Sequence, residues 1–146
     1  MAVLIVLFAS WLVFRGIGAL GVEAFAGWRG SARYALAVMF LFTALAHFNQ
    51  TRFDLARMVP STFPKPMALI YATGVLELLG AAGLLLPNLH PLAAACLIAL
   101  LLAMFPANLK AAREGLQIRG RPATRLGLRI PMQILFIALL WWSAIR

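Results

Sequence analysis

The sequence predicts an all-α protein, a polytopic bundle of transmembrane helices, on three observations. Of its 146 residues, 64% are hydrophobic and only 12% are charged, whereas soluble domains run near ~45–50% apolar and ~25% charged. The apolar residues gather in five stretches, at residues 2–22, 32–48, 67–86, 91–109 and 128–145, each close to the ~17–25 residues a helix needs to cross a bilayer. Period-two alternation is absent, which argues against a membrane β-barrel. The length fits one unit, residues 1–146 as a single transmembrane domain, with no room for a separate soluble enzyme domain.

Each stretch has physical boundaries. The first is interrupted by Arg15. Ala24-Phe25-Ala26 has the small-x-small shape of a signal cleavage site, so a cleaved leader competes with a retained helix. Met1-Ala2-Val3 lacks the basic start of a leader, which favours the retained helix. The second stretch begins after Arg29. Pro64 and Pro66 precede the third and Pro87 follows it. Pro91 opens the fourth, where a missing N–H costs nothing. The fifth follows a basic segment and carries Trp141-Trp142 near its end.

Thirteen Lys and Arg against four Asp and Glu give a net charge of +9. In a soluble chain that balance suggests nucleic acid. Here the arginines lie between apolar runs, so the expected anionic partner is the lipid headgroup layer. The basic residues Arg52, Arg57, Lys65, Lys110, Arg113, Arg119, Arg121 and Arg125 follow stretches two and four. The opposite side carries Arg29, Arg33 and Arg146. The positive-inside rule therefore places the N-terminus and the segments around 47–66 and 109–128 in the cytoplasm, which in a bacterium means an inner-membrane protein. Trp28, Tyr34, Trp141 and Trp142 then form the outer aromatic belt.

The lone Cys96 excludes an internal disulfide, a CxxC pair and a Cys-rich metal site. There is no HExxH, phosphate-binding glycine loop, GxSxG or His pair with metal-ligand spacing. No metal and no intrinsic cofactor are expected, and catalytic residues stay unassigned. His90 falls in the short turn opposite His47, so the two are not expected to share a metal.

Glu77 is the most informative residue, because an ionised carboxylate at mid-bilayer costs several kcal/mol unless paired or protonated. Its helical neighbours Thr73, Gly74, Gly80 and Ala81 make a small face, with Val75, Leu79 and Leu86 opposite. The small face permits close helix approach, so Glu77 is expected to point inward and Leu79 toward lipid. Either a structural hydrogen bond or a proton or ligand site accounts for it. His47 (one turn after Thr43), Asn108 (after the kinking Pro106), Arg129 and Gln133 all fall near the cytoplasmic helix ends. They are expected to meet in one pocket with Glu77 as its floor, giving the ligand-binding set Glu77, His47, Asn108, Gln133, Arg129 and Thr73. Arg15 either pairs with Glu77 or snorkels to the outer headgroups near Glu23, the second being favoured.

Several short signatures in order (Ala46-His47-Phe48, Met58-Val59-Pro60, Phe63-Pro64-Lys65-Pro66, Tyr71-Ala72-Thr73-Gly74-Val75-Leu76-Glu77, Phe105-Pro106-Ala107-Asn108 and Leu128-Arg129-Ile130-Pro131-Met132-Gln133) resemble the DoxX-like membrane proteins. The resemblance covers about residues 32–142. It implies a four-helix membrane bundle as the family core, with the N-terminal helix as an addition, and it lends weight to His47, Glu77, Asn108, Arg129 and Gln133 as the polar positions. Some members are tied to quinone-linked redox complexes. The resulting expectation is an accessory subunit of a membrane redox system, with a polar intramembrane pocket for a quinone-like lipophile and a protein partner beside it. A structural or assembly subunit, a homo-oligomer and a small-solute or proton transporter remain open alternatives. The chain has no electron-carrier motif of its own, so at most it is a subunit of a quinone-linked oxidoreductase.

Overall fold

Glycine and proline punctuation sets the helix ends. The structure, a computed structural model, describes residues 2–146. Helix α1 spans Ala2–Ala19 and is closed by Gly21 at φ +104°, a conformation that suits glycine. The chain then makes one turn of helix, α2 (Glu23–Ala26), before α3 (Trp28–Leu45). A short surface helix, α4 (Thr51–Met58), leads to α5 (Pro66–Leu85), which opens with proline at its first turn. Helix α6 (His90–Arg113) contains Pro106, and α7 (Leu126–Leu140) contains Pro131 and runs on as a π-helix over Trp141–Ile145. Between α6 and α7, strands β1 (Gln117–Ile118) and β2 (Arg121–Pro122) pair antiparallel, with Gln117 opposite Pro122 and Ile118 opposite Arg121.

Four helices are long and apolar enough to cross a membrane: α1, α5, α6 and α7 with its π-helical end. The chain is accordingly an all-α, multi-pass membrane protein. The expected second span differs. It begins at Trp28 rather than residue 32 and stops at Leu45, so its first two turns carry Arg29 and Arg33 and it falls outside the four. One face of α3 is covered by the bundle. Ala32, Ala35, Leu36, Met39, Phe40 and Ala44 are buried, and the helix packs on α1, α5 and the α7 end. The opposite side of the helix carries Val38, Leu41, Phe42 and Leu45, all exposed, so the face left to lipid is apolar. The other boundaries shift modestly: α1 stops before residue 22, and α6 continues four residues past Leu109.

Lipid tails are as apolar as leucine, so close fit and hydrogen bonds hold such a bundle together. Helix α5 supplies the fit through its small residues. A methyl group added at Gly80 would lie 2.5 Å from Leu97 Cδ2, and one at Gly83 would lie 2.7 Å from Ala93 Cβ, which shows how closely α6 approaches. On its other side α5 meets α3. Leu7, Leu36, Phe40, Leu84, Leu97 and Leu140 are fully buried where the helices meet. Leu79 is 65% exposed, on the outward side as expected.

The end of the bundle bearing the α3–α5 and α6–α7 connections is tied together by side-chain bonds. Lys110 Nζ donates to the carbonyls of Arg57 (3.0 Å) and Val59 (2.9 Å), closing the last turn of α4. At the opposite end Trp11 Nε1 donates to Ser31 Oγ at 3.1 Å, and the Trp11 ring meets those of Trp28 and Trp142. The aromatic cluster and the basic connections thus occupy opposite ends.

Candidate functional site

The buried face of α5 repeats as Ile70, Gly74, Glu77, Ala81 and Leu84, a helical stripe that carries one carboxyl group into the α3–α5 interface. Glu77 is 4% exposed. Thr43 of α3 lies opposite, its Oγ1 3.0 Å from Glu77 Oε2 and 3.0 Å from the Phe40 carbonyl; its single proton goes to one or the other.

His47 comes from the turn that follows α3 and is 7% exposed. Its Nδ1 is 2.9 Å from the Ile70 carbonyl and 3.2 Å from Thr73 Oγ1. A carbonyl can only accept, so Nδ1 carries the hydrogen. Neutral imidazole then leaves a lone pair on Nε2, and Nε2 faces Glu77 Oε2 at 3.8 Å. The two groups hold either a proton on the acid or a proton on the ring, and an ångström of approach closes the hydrogen bond. Thr73 supports the ring through its own hydroxyl, anchored near the carbonyls of Leu69 (2.9 Å) and Ile70 (3.0 Å). Gly74 makes room: a Cβ there would sit 2.5 Å from His47 Cβ.

The remaining candidates lie between α6 and α7. Arg129 donates to Asn108 Oδ1, and Gln133, also buried, donates from Nε2 to the Leu101 carbonyl at 3.1 Å. That carbonyl neighbours the one at Leu102, which Pro106 leaves without its N–H partner. The six candidates therefore fall into two clusters: Glu77, His47 and Thr73 in one, Asn108, Arg129 and Gln133 in the other. Among the described residues no hydrogen bond or ion pair runs between them. An apolar groove of about 530 Å³ lies farther along α6 and α7, lined by residues including Ile98, Ile134, Ile137 and Trp141 and by none of the six candidates.

A family described as Domain of unknown function (DUF8561) matches residues 36–144. The chain belongs to this family. No curated protein and no solved structure matches it. The DUF8561 match begins inside α3, so it takes in both polar clusters and leaves out α1, α2 and Arg15.

Outside the DUF8561 region, Arg15 does not pair with Glu77. Its NH1 donates to the carbonyls of Phe25 (3.2 Å) and Ala26, and its guanidinium lies 4.5 Å from the centre of the Trp28 ring. It fastens the α1–α2 elbow instead of reaching outward to Glu23, because unpaired carbonyls at the end of a four-residue helix are nearer acceptors. His90 Nδ1 lies 2.9 Å from the Ala144 carbonyl, at the end of the bundle away from His47. Sequence reasoning missed the platform built by α4 and the hairpin. Its signals were present as Asp54 and Arg57 three apart and as Arg119-Gly120 between Ile118 and Arg121.

Proposed function

We propose that the Glu77–His47 pair takes up and releases one proton inside the bundle, and that the chain serves as an accessory subunit of a membrane redox system acting on a quinone-like lipophile. The observation that carries this reading is the unprotonated side of a tautomerically fixed imidazole, held 3.8 Å from a buried carboxyl group. Within the pair a proton passes between carboxyl and ring with no change of net charge, so its ionised form is a contact pair and not an isolated charge in hydrocarbon. Reduction of a quinone to its hydroquinone consumes two electrons and two protons. In this reading a protein partner delivers the electrons, and the pair relays protons one at a time. Asn108, Gln133 and Arg129, on the same two helices as the apolar groove, are the donors this reading assigns to a carbonyl oxygen. The resemblance to DoxX-like proteins supports the assignment. The charge distribution supports an inner-membrane orientation with the N-terminus and the α4 end in the cytoplasm.

A second reading rests on the bonding itself. Thr43, Thr73, Asn108, Arg129 and Gln133 all find partners within the chain, which suits helix fastening in a structural or assembly subunit. Glu77→Gln separates the two. In nanodiscs, with decylubiquinone as the probe, the proton-relay reading expects normal insertion, weakened quinone binding and loss of the infrared band of a protonated carboxylic acid. Unchanged binding together with lost partner co-purification would establish the fastening role instead.

A further inference from the structure

A cavity of about 560 Å³ opens where α4 meets the hairpin tip, lined by Asn49, Gln50, Thr51, Phe53, Asp54 and Arg119. It shares no residue with either polar cluster. Its wall is fixed. Arg119 and Gly120, at φ +54° and +74°, form the two-residue turn between β1 and β2. Two positive φ values in such a loop mark the type I′ turn, where asparagine-glycine is the usual pair and arginine is an unfavourable choice. The tip is pinned to α4 by Asp54, whose Oδ2 accepts the Arg119 backbone N–H at 2.9 Å. Arg57 completes the clamp, donating to Asp54 Oδ1 at 2.8 Å and to the Gln117 carbonyl at 3.1 Å.

Both oxygens of Asp54, the one carboxylate on the wall, are therefore engaged within the protein. What remains is mostly donor. Among the described residues the Arg119 guanidinium makes no ion pair. Asn49 uses its Oδ1 to accept the Thr51 N–H at 2.8 Å, which turns its amide NH2 to other use. Thr51 is 7% exposed, and its hydroxyl, without a hydrogen-bond partner among the described residues, is open to the cavity. Beside these donors Phe53 is 55% exposed, with the Arg52 guanidinium 4.8 Å from its ring centre. Donors lacking acceptors, next to an outward aromatic ring at the basic end of a membrane bundle, match an anion that carries an apolar body.

We propose that this cavity binds the phosphate-bearing headgroup of an anionic phospholipid, with Arg119, Thr51 and Asn49 donating to the phosphate oxygens and Phe53 against the glycerol region. This is a discrete site, beyond the diffuse attraction of a basic surface for a charged membrane. It stands independently of any role for Glu77.

The test titrates the full chain in detergent micelles with dioleoyl phosphatidic acid, dioleoyl phosphatidylcholine and inorganic phosphate, following tryptophan fluorescence and thermal unfolding. Saturable binding of phosphatidic acid is expected, with at least tenfold weaker binding of the other two. Arg119→Asn should weaken phosphatidic acid binding by about tenfold, the loss of a charged hydrogen bond. The same change should raise the unfolding temperature, because asparagine suits the turn. Thr51→Val should weaken binding by a few-fold, and Arg125→Asn, which removes equal charge outside the cavity, by less than twofold. Equal losses for Arg119→Asn and Arg125→Asn would overturn the site in favour of bulk charge. Inorganic phosphate binding as tightly as the lipid would overturn the lipid assignment.

Discussion

His47 and Glu77 face each other across the α3–α5 interface with Nε2 and Oε2 3.8 Å apart, while the other ring nitrogen is held at 2.9 Å by the Ile70 carbonyl. The backbone of α5 thus fixes the tautomer of a ring that α5 also opposes with a carboxyl group. Nitrogen NMR of the imidazole checks this directly. The neutral ring should show Nδ1 protonated and Nε2 bare. A ring protonated on Nε2 alone contradicts the arrangement, since it would set a lone pair against the Ile70 carbonyl.

The pair also makes a distinction between charge and shape. Thr43 Oγ1 and His47 Nε2 face the same oxygen of Glu77, so Glu77→Gln can set its NH2 there to donate to both, with the Thr43 proton going to the Phe40 carbonyl, and it removes the burial cost of a charge. Its effect on stability should stay within about 1 kcal/mol. Glu77→Ala leaves Nε2 without a partner and opens a void between α3 and α5, and should cost about 2–4 kcal/mol. Denaturant unfolding in micelles compares the two. A glutamine variant as damaged as the alanine variant would mean that the negative charge itself holds the helices.

Close approach at two glycines of α5 should be unequally tolerant. Gly80 faces the Leu97 side chain, where an added Cβ meets Cδ2 at 2.5 Å and Cγ at 2.6 Å, atoms that a turn about the Leu97 Cα–Cβ bond can move. Gly74 faces the Cβ of His47 at the same 2.5 Å, an atom fixed to the backbone. Gly74→Ala should therefore cost about 1–3 kcal/mol, as overpacking does, and Gly80→Ala less. Gly74→Ala should also disturb the His47 imidazole resonances, whereas Gly80→Ala leaves them in place. The reverse order of stabilities would show that α3, not the Leu97 tip, is the part that yields.

Local residues made parts of this architecture legible. Small neighbours at three- and four-residue spacing told that Glu77 turns inward and Leu79 outward, because helical periodicity is a short-range rule. Proline positions told where α5 and α6 begin. The span of α3 was misjudged at its start, since Arg29 and Arg33 look like loop residues until their partners are known; Arg29 and Arg33 lie near the rings of Trp142 and Tyr34. Thr43 was seen on the face of His47, but its bond to Glu77 depends on how two helices register, which no local pattern encodes. The division of the six polar candidates into two clusters has the same origin: each residue's side of the membrane was readable, its partner across the interface was not. Helix α4 was hidden because eight residues of mixed polarity carry no apolar period, and its stability comes from the bonds of Lys110 and the hairpin.

Arg15 offers a check on how the N-terminal helix is joined to the rest. Its guanidinium donates to two carbonyls at the end of α2 and lies over Trp28, so one side chain closes the elbow between α1 and α3. Arg15→Leu keeps the apolar stem but strands both carbonyls, and charged hydrogen bonds of this kind contribute about 1.5–3 kcal/mol. Hydrogen exchange in nanodiscs should quicken at residues 21–28 and stay unchanged at residues 69–77, where no bond of Arg15 reaches. Arg29→Leu is the matched control. Arg29 is exposed and its guanidinium lies 5.9 Å from the centre of the Trp142 ring, a contact that contributes less than about 1 kcal/mol at an exposed site. If Arg15→Leu instead quickens exchange around Glu77, the elbow and the carboxyl site are mechanically linked, and α1 has a part in holding the site as well as in covering the bundle.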